Sequence, residues 1–369
     1  MDESAHLWYD NFGYLYGIKE ECTMLDFNVN LNGKTILITG AAGFIGSNLA
    51  LRLMQDFPSA RIIGLDNMNA YYDVRLKQYR LDALLACPAF HFVQGSIADK
   101  ALVSEVFETY RPQLVVNLAA QAGVRYSIEN PDVYIEANII GFFNILEACR
   151  HYPVEHLVYA SSSSVYGTNR KIPYSTDDKA DTPVSLYAAT KKSNELMAHA
   201  YSKLYSIPAT GLRFFTVYGP AGRPDMAYFS FTDKLRAGDR IRIFNYGNCR
   251  RDFTYIDDIV TGVVKVMQHA PDVNADGVRC KVYNIGNNHP ENLLGFVDIL
   301  QQELMRADVL PQNYDFEAHK ELVPMQPGDV EMTYADVDNL AQDFGFQPQT
   351  PLRTGLRKFA EWYKAFYEN

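Results

Sequence analysis

Tyr187 and Lys191 stand four residues apart in Tyr187-Ala-Ala-Thr-Lys191. On a helix that spacing puts both side chains on one face. A tyrosine of ordinary pKa, about 10, is a poor base at neutral pH. An ammonium beside it favours the phenolate and lowers that value. So adjusted, the phenol can take a proton from a sugar hydroxyl as hydride leaves the same carbon. Lys191 can also hold a nicotinamide ribose. Tyr-x-x-x-Lys alone is common on the surface of amphipathic helices. Its weight here comes from Ser161–Ser164, which end an apolar strand. Ligands of parallel sheets bind at the carboxyl ends of strands. A serine there can bond the reacting oxygen and pass a proton to the tyrosine.

A second constellation lies near the start of the chain. Gly40-Ala-Ala-Gly43-Phe-Ile-Gly46 falls between a short apolar run, Lys34–Thr39, and a helical pattern, Phe44–Gln55. A tight turn there needs glycine at positive φ, and backbone must come close to a pyrophosphate. The third glycine lets helix pack on strand, and the helix N-terminus offers N–H groups to the anion. A lone glycine triplet says little; the strand–turn–helix context makes it informative. Asp66 ends the second strand, twenty residues after Gly46. A carboxylate there accepts the ribose hydroxyls of NAD and repels the 2′-phosphate of NADP. The alternative is a solvated acid at a strand end. NAD is the cofactor this pattern favours.

These residues need a scaffold. Strand patterns run over Lys34–Thr39, Arg61–Leu65, Phe90–Gln94, Leu114–Leu118 and His156–Ala160, with helical patterns at about 76–85, 100–109 and 132–150. A long helix over Ser185–Tyr205 leads to a strand over Ile207–Phe215. Near-continuous apolar strands alternating with helices predict an α/β Rossmann fold, a doubly wound parallel sheet with helices on both faces. After about residue 213, proline and glycine punctuate shorter, mixed elements. The division expected is an N-terminal extension (1–30), a Rossmann domain (31–212, with a return segment near 250–285) and a smaller mixed α/β substrate-binding lobe (mainly 213–369). Met24 is an alternative start, which would make residues 1–23 dispensable to the fold.

Bulk composition sets the class. The 369 residues are too many for one small core, and 47% hydrophobic against 21% charged describes a globular chain. Lys plus Arg is 34 and Asp plus Glu 44, a net charge of -10. That field repels nucleic acid, and no basic run overcomes it. The five cysteines are scattered, with no CxxC pair. They fit neither zinc nor a disulfide framework and read as free thiols in a reducing compartment. No apolar run reaches the ~18–20 residues of a membrane span, and the first thirty do not read as a signal peptide. The expectation is a cytoplasmic protein with no metal, no membrane and no nucleic-acid partner.

The glycine pattern, the serine strand end, Tyr187 and Lys191 resemble the extended short-chain dehydrogenase/reductase superfamily over about residues 33–367. Longer blocks are similar to UDP-glucuronate 4-epimerases: Tyr71-Tyr-Asp-Val-Arg-Leu-Lys77, Ser161-Ser-Ser-Ser-Val-Tyr-Gly167 and Val184-Ser-Leu-Tyr-Ala-Ala-Thr-Lys-Lys-Ser-Asn-Glu195. So are Arg213-Phe-Phe-Thr-Val-Tyr-Gly-Pro220, Gly222-Arg-Pro-Asp-Met-Ala227, Arg251-Asp-Phe-Thr-Tyr-Ile-Asp-Asp258 and Met325-Gln-Pro-Gly-Asp329.

The resemblance implies roles. Tyr187 is the catalytic base and acid, and Ser162, three positions before Val165, the catalytic serine/threonine. Ser163 and Ser164 help hold the substrate. Thr216 stands where galactose epimerases carry Asn. Arg223 and Arg125 are candidate partners for a uronate carboxylate, which a guanidinium fork suits. Arg251 is implied to bind the UDP diphosphate, and Asp329 joins the substrate set. Gly40, Gly43, Phe44, Ile45, Gly46, Asp66, Asn67, Ser96, Ile97, Leu118, Ala119, Ala120 and Asn138, with Tyr187 and Lys191, line NAD. Two alternatives stay open: Arg223 bracing its own loop, and Arg251 pairing with Asp252 or Asp257. The family usually has Gly-Asp-Ile where this chain has Gly95-Ser96-Ile97. Serine at the adenine is shorter and uncharged.

The activity implied is inversion at C4 of UDP-glucuronic acid to UDP-galacturonic acid, through a transient 4-keto sugar on tightly bound NAD. Such a 4-keto uronate is a β-keto acid and loses CO2 readily. Related decarboxylases and dehydratases carry acids beside the catalytic Ser/Thr for work at C5 and C6. Ser163 and Ser164 offer hydroxyls only, against dehydration and weakly against decarboxylation. A neutral UDP-sugar epimerase, a UDP-glucuronate decarboxylase and a non-catalytic NAD sensor are the alternatives. Intact Tyr187, Lys191 and Ser162 disfavour the sensor. Family members commonly dimerise through two long helices, so 132–150 and 185–205 are candidates for a homodimer seam.

Overall fold

The computed structural model describes residues 27–325 and 331–368. Met24, most of the 1–30 segment and Asp329 lie outside the described residues.

The first half alternates as the apolar runs require: β1 (Thr35–Thr39), α1 (Phe44–Asp56), β2 (Arg61–Asp66), α2 (Val74–Leu85), β3 (Phe90–Gln94), α3 (Lys100–Tyr110) and β4 (Leu114–Asn117). Then come α4 (Gly141–His151), β5 (His156–Ser162), α5 (Leu186–Tyr205) and β6 (Ala209–Phe214). Short elements follow: β7 (Thr216–Tyr218), α6 (Ala227–Arg236), β8 (Ile241–Ile243) and β9 (Arg250–Tyr255). The rest are α7 (Ile256–Met267), β10 (Cys280–Ile285), β11 (Pro290–Asn292), α8 (Leu293–Arg306), β12 (Lys320–Leu322), β13 (Met332–Thr333), α9 (Asp338–Phe344) and α10 (Leu352–Glu368).

Seven strands form one parallel sheet in the order β10-β6-β5-β4-β1-β2-β3. Successive residues of a strand feed opposite faces. Ile36 and Ile38 pack with Leu49 and Leu53 of α1, while Leu37 between them joins Phe107 of α3 and Ile145 of α4. Both faces are therefore covered, which a parallel sheet demands. Strand order reverses between β1 and β4, and the crevice outside the carboxyl ends at such a switch point is where ligands bind.

The chain beyond β6 returns to this body. β10 extends the sheet beside β6, and α7 packs on α1. β7, β9, β11 and β13 make a small mixed sheet, and β8 pairs with β12. Phe296, Leu300, Leu356 and Phe359 of this part share one continuous core with β1 and α1.

The pattern over 132–150 predicts one helix. The structure interrupts it with a π-turn, Ile135–Ile140, between Asp132–Tyr134 and α4. Such a bulge adds a residue to a turn and re-aims side chains, often beside functional sites. Here it buries Asn138.

His156 opens β5 fully buried. The Met267 carbonyl, 3.3 Å from Nδ1, can only accept, so Nδ1 carries the proton and the Thr210 hydroxyl donates to Nε2 at 2.8 Å. Burial pushes its pKa down to about 4. An unfolded histidine titrates near 6.5, so between those values the unfolded chain binds more protons. Stability therefore falls as pH drops from about 6.5 to 4, by up to ~3 kcal/mol from this group. Denaturant midpoints across that window should fall less steeply in His156→Gln. An equal slope would assign the acid limb to other groups.

Candidate active site

A cleft of about 720 Å³ opens at the switch point. Its floor is the glycine turn. Gly40 has φ +71, and a Cβ there would lie 2.8 Å from Ala119 N. A Cβ on Gly46 would meet Gly40 O at 2.2 Å. Neither position takes a side chain, so bare backbone faces the cleft. α1 opens there with no side-chain cap at Gly43 and no acid in its first turn. The cradle thus fits the pyrophosphate of a dinucleotide. Asp66 accepts the Ala42 N–H at 3.1 Å on Oδ2 and the Met68 N–H at 2.8 Å on Oδ1. It holds the turn, and its remaining lone pairs line the cleft beside Asn67.

Ser96 and Ile97 stand on the same wall, with Leu118, Ala119 and Ala120 opposite. Ser96 Oγ accepts the Ala98 N–H at 3.1 Å, which leaves its hydroxyl proton to donate. Asn138 lies behind the wall. Its Oδ1 accepts from Gln121 N (2.8 Å), and its Nδ2 donates to Gln121 O (3.0 Å) and Thr190 Oγ1 (3.0 Å). The structure thus makes Asn138 a brace of the Gln121 loop, where the resemblance implied direct lining.

The reacting end is built by β5 and α5. Ser162 ends β5, and its Oγ accepts the Ser164 N–H and donates to Ser164 Oγ, each at 3.2 Å. Ser163 and Ser164 form the following 3₁₀ turn and line the cleft. Ser185 caps α5 by accepting the Ala188 N–H at 3.1 Å, so Tyr187 falls in the first turn and Lys191 one turn on. Both line the cleft, and the Ser162 hydroxyl lies close enough to Tyr187 to act on its phenol. A buried clamp fixes the two elements. Glu195 of α5 accepts Ser161 Oγ at 2.7 Å and both Nε and Nη2 of Arg213, at 2.8 and 2.9 Å.

The expected electrostatics need correction. Burial in the cleft raises the Tyr187 pKa; the Ser162 hydroxyl and the Arg223 guanidinium pull it back. These two, rather than Lys191, favour the phenolate here. Lys191 Nζ donates to Ala160 O at 3.0 Å, and burial lowers its own pKa to about 8. A four-residue spacing sets a common face, but it does not decide which acceptor the ammonium takes.

Arg125, Thr216 and Arg223 line the far end. Arg223 Nε bonds Asp225 Oδ1 at 3.0 Å, and Nη2 bonds Oδ2. Tyr71 Oη donates to Asp225 Oδ2 at 3.3 Å. Arg223 thus faces the cleft and braces its own loop at once. Arg251 stands on β9 and is not among the cleft-lining residues; its Nη1 donates to Arg250 O (3.0 Å) and Glu331 O (3.2 Å). Of the acids considered for it, Asp252 receives the N–H groups of Asn287, Asn288 and Ala335, and Asp257 lies 3.9 Å from Lys358.

Sequence reasoning passed over Tyr71, Lys77, Asp225, Arg242 and Phe244, all in the cleft wall. The first three sat inside the quoted blocks. Phe244 has the Arg125 and Arg242 guanidinium carbons 5.8 and 5.5 Å from its ring centroid. It follows a three-residue strand with no readable pattern.

Comparison with known proteins gives a consistent picture. The model of the NAD dependent epimerase/dehydratase family matches residues 36–286. Protein CapI of Staphylococcus aureus is 49% identical over 344 residues, 90% of this chain and 99% of that protein. UDP-glucuronate 4-epimerase 4 of Arabidopsis thaliana is 45% identical over 347 residues, 91% of this chain and 76% of that protein. Among solved structures, UDP-glucuronic acid 4-epimerase from Bacillus cereus, in complex with UDP-glucuronic acid and NAD, superposes with a TM-score of 0.79 at 31% identity. It covers 90% of this chain and 100% of that one.

Proposed function

This chain belongs to the NAD-dependent epimerase/dehydratase family, and from that premise we propose that it is an NAD-dependent enzyme that inverts C4 of UDP-glucuronate to give UDP-galacturonate through a transient 4-keto sugar. One observation carries the choice. The Tyr187–Ser162 pair and the Arg223 guanidinium share one cleft, and only hydroxyls, Ser163 and Ser164, follow Ser162 there. That set suits oxidation at C4 and capture of a carboxylate, with no acid beside Ser162 for chemistry at C5.

NAD, when bound, supplies the hydride acceptor and donor. The rest falls to the chain. Gly40, Gly43, Gly46 and the α1 N-terminus hold the pyrophosphate, Asp66 the ribose, and Lys191 the nicotinamide ribose. Tyr187 takes the O4 proton as C4 is oxidised and returns it after the sugar has turned its other face. Ser162 bonds O4 throughout. Arg251 and Asp329 anchor the nucleotide, so that the sugar can rotate while the nucleotide does not. At Arg223 the sugar carboxylate replaces Asp225, one anion for another on the same fork.

Two further parts of the reading concern the whole molecule. Leu196 and Leu204 on α5 are 62% and 69% exposed, and Ile135, Ile140 and Phe143 on the neighbouring helix are also exposed. Such a patch is a candidate homodimer seam. The cytoplasm is the compartment proposed, because Cys87, Cys149, Cys249 and Cys280 are free thiols. Among the described residues no helix is long and apolar enough to cross a membrane.

The test is proton NMR of UDP-glucuronic acid with the purified protein, with and without added NAD. UDP-galacturonic acid with its carboxylate retained supports the reading. UDP-pentose with CO2 replaces it by decarboxylation. Turnover confined to a neutral UDP-sugar is the outcome favoured by the standing Arg223–Asp225 pair. Arg223→Ala should raise KM for UDP-glucuronate by about 10–100-fold, the worth of a charge-assisted pair. KM for UDP-glucose, with no carboxylate, should move little, and an equal rise for both would remove the assigned role.

A further inference from the structure

Arg80, on α2, is fully buried, and none of its hydrogen-bond partners is a carboxylate. Nε donates to Ala221 O at 2.9 Å. Nη2 donates to Ala221 O at 2.6 Å and Gly222 O at 2.9 Å. Nη1 donates to Ala42 O at 3.1 Å and Tyr72 Oη at 2.7 Å. That uses every N–H of a guanidinium. Burying a cation on neutral acceptors alone is costly, and an apolar side chain would fill the same space without that cost.

The segments it joins are the two that matter most in the cleft. Ala42 lies in the glycine turn, with its N–H on Asp66. Ala221 and Gly222 lead directly into Arg223. Ala221 has φ +51, a left-handed conformation that a residue with a Cβ resists. Its carbonyl is the one Arg80 grips twice. Gly222 is hemmed in as well, since a Cβ there would come 1.7 Å from Tyr228 Oη. The backbone under Arg223 is therefore held in a strained path by a side chain from the cofactor half.

We propose that Arg80 is a positioning residue that ties the Arg223 loop to the cofactor turn, so that capture of the sugar carboxylate depends on one buried guanidinium. The inference rests on the reading of Arg223 as the carboxylate partner. Arg80 itself touches neither ligand. A lysine keeps the charge but cannot span Ala42 and Ala221–Gly222 together. Freed at Ala221, the loop relaxes toward ordinary φ and swings the Arg223 fork. The 4-keto uronate is then less well held. Its C5–C6 bond can break, with the electron pair moving into the C4 carbonyl as an enolate, CO2 leaving and C5 taking a proton from water.

The experiment compares R80K, R80K/A221G and R223A with the parent enzyme. It measures KM and kcat for UDP-glucuronate, the inhibition constant of UDP and the fraction of turnover released as CO2. In R80K, KM should rise about tenfold and the CO2 fraction should increase, while UDP inhibition moves less than about twofold. If packing alone held the backbone of residues 219–222, R80K would move none of these per folded molecule. Glycine adopts positive φ freely, so A221G should recover part of the lost KM in the R80K background. Unchanged KM and CO2 in R80K, with both shifted in R223A, overturns the proposal. If R223A itself shifts neither, it is the reading of Arg223 that fails. Should R80K not fold, Tyr72→Phe removes one acceptor of Arg80 and should raise KM about twofold to threefold; no rise overturns the proposal.

Discussion

Tyr187→Phe should lower kcat for UDP-glucuronate by about 10³-fold, the scale of general acid–base catalysis, and leave UDP binding within about twofold. The variant removes one oxygen and keeps the ring that packs edge-on to Tyr134, 6.0 Å between centroids. Affinity for the nucleotide therefore has no reason to change. The rate does, because O4 must lose a proton as C4 is oxidised and regain it afterwards. Burial holds the Tyr187 pKa above its ordinary value even with Ser162 and Arg223 pulling it back, so the phenolate is scarce and the proton must leave in step with the hydride. Ser162 is too weak a base to take over. Initial rates by NMR and titration of UDP by calorimetry read the two quantities separately. Retained turnover would move the proton-transfer role to another residue, while loss of UDP affinity would mean that the phenol shapes the site rather than serving its chemistry.

The parts of this site legible in the sequence are those set by local geometry. Continuous apolar runs reveal a sheet buried on both faces. Gly46 is forced by Gly40 O within its own strand–turn–helix unit, and Gly40 by its positive φ in that turn, with Ala119 after β4 closing on it from outside. The parts that stayed hidden depend on distant chain. Asn138 turns from the cleft because a π-turn aims it at Gln121 and Thr190, which no helical period foretells. Arg80 reads as one more cation of an amphipathic helix until Ala221 arrives beneath it from 141 positions away. Phe244 follows a short strand and precedes Asn245 and Tyr246, both at positive φ, where no periodic pattern survives. In each case the missing information was a partner, not a propensity.

Lys191→Met should pull activity and stability in opposite directions. The ammonium is 3% exposed, and burial lowers its pKa from the model-peptide 10.5 to about 8. At pH 7 the folded protein therefore carries a charge it would be easier to expose, a cost of up to ~3 kcal/mol. Losing the bond to Ala160 O costs about 1 kcal/mol in return. Methionine fills similar volume with no charge, so the variant should be more stable at pH 7 by about 2 kcal/mol. The sign can be checked against pH. Between about 8 and 10.5 the unfolded lysine binds more protons than the folded one, so parent stability gains as pH rises through that window. The advantage of Lys191→Met should accordingly shrink from about pH 8 upward, vanish at pH ~9.5 once the parent has gained about 2 kcal/mol, and reverse by about 1 kcal/mol at higher pH, the worth of the lost bond to Ala160 O. Its kcat should fall about 10²-fold, since no cation remains to hold the nicotinamide ribose. The alkaline decline expected in the parent above about pH 8 should disappear with it. Thermal melts and kcat, both followed against pH, decide the matter. A variant less stable than the parent at pH 7, with no convergence at alkaline pH, would mean that the ammonium is well solvated or ion-paired. A cation kept in place at a cost to the fold is what a functional requirement produces, and the two pH profiles measure that cost and that function on the same group.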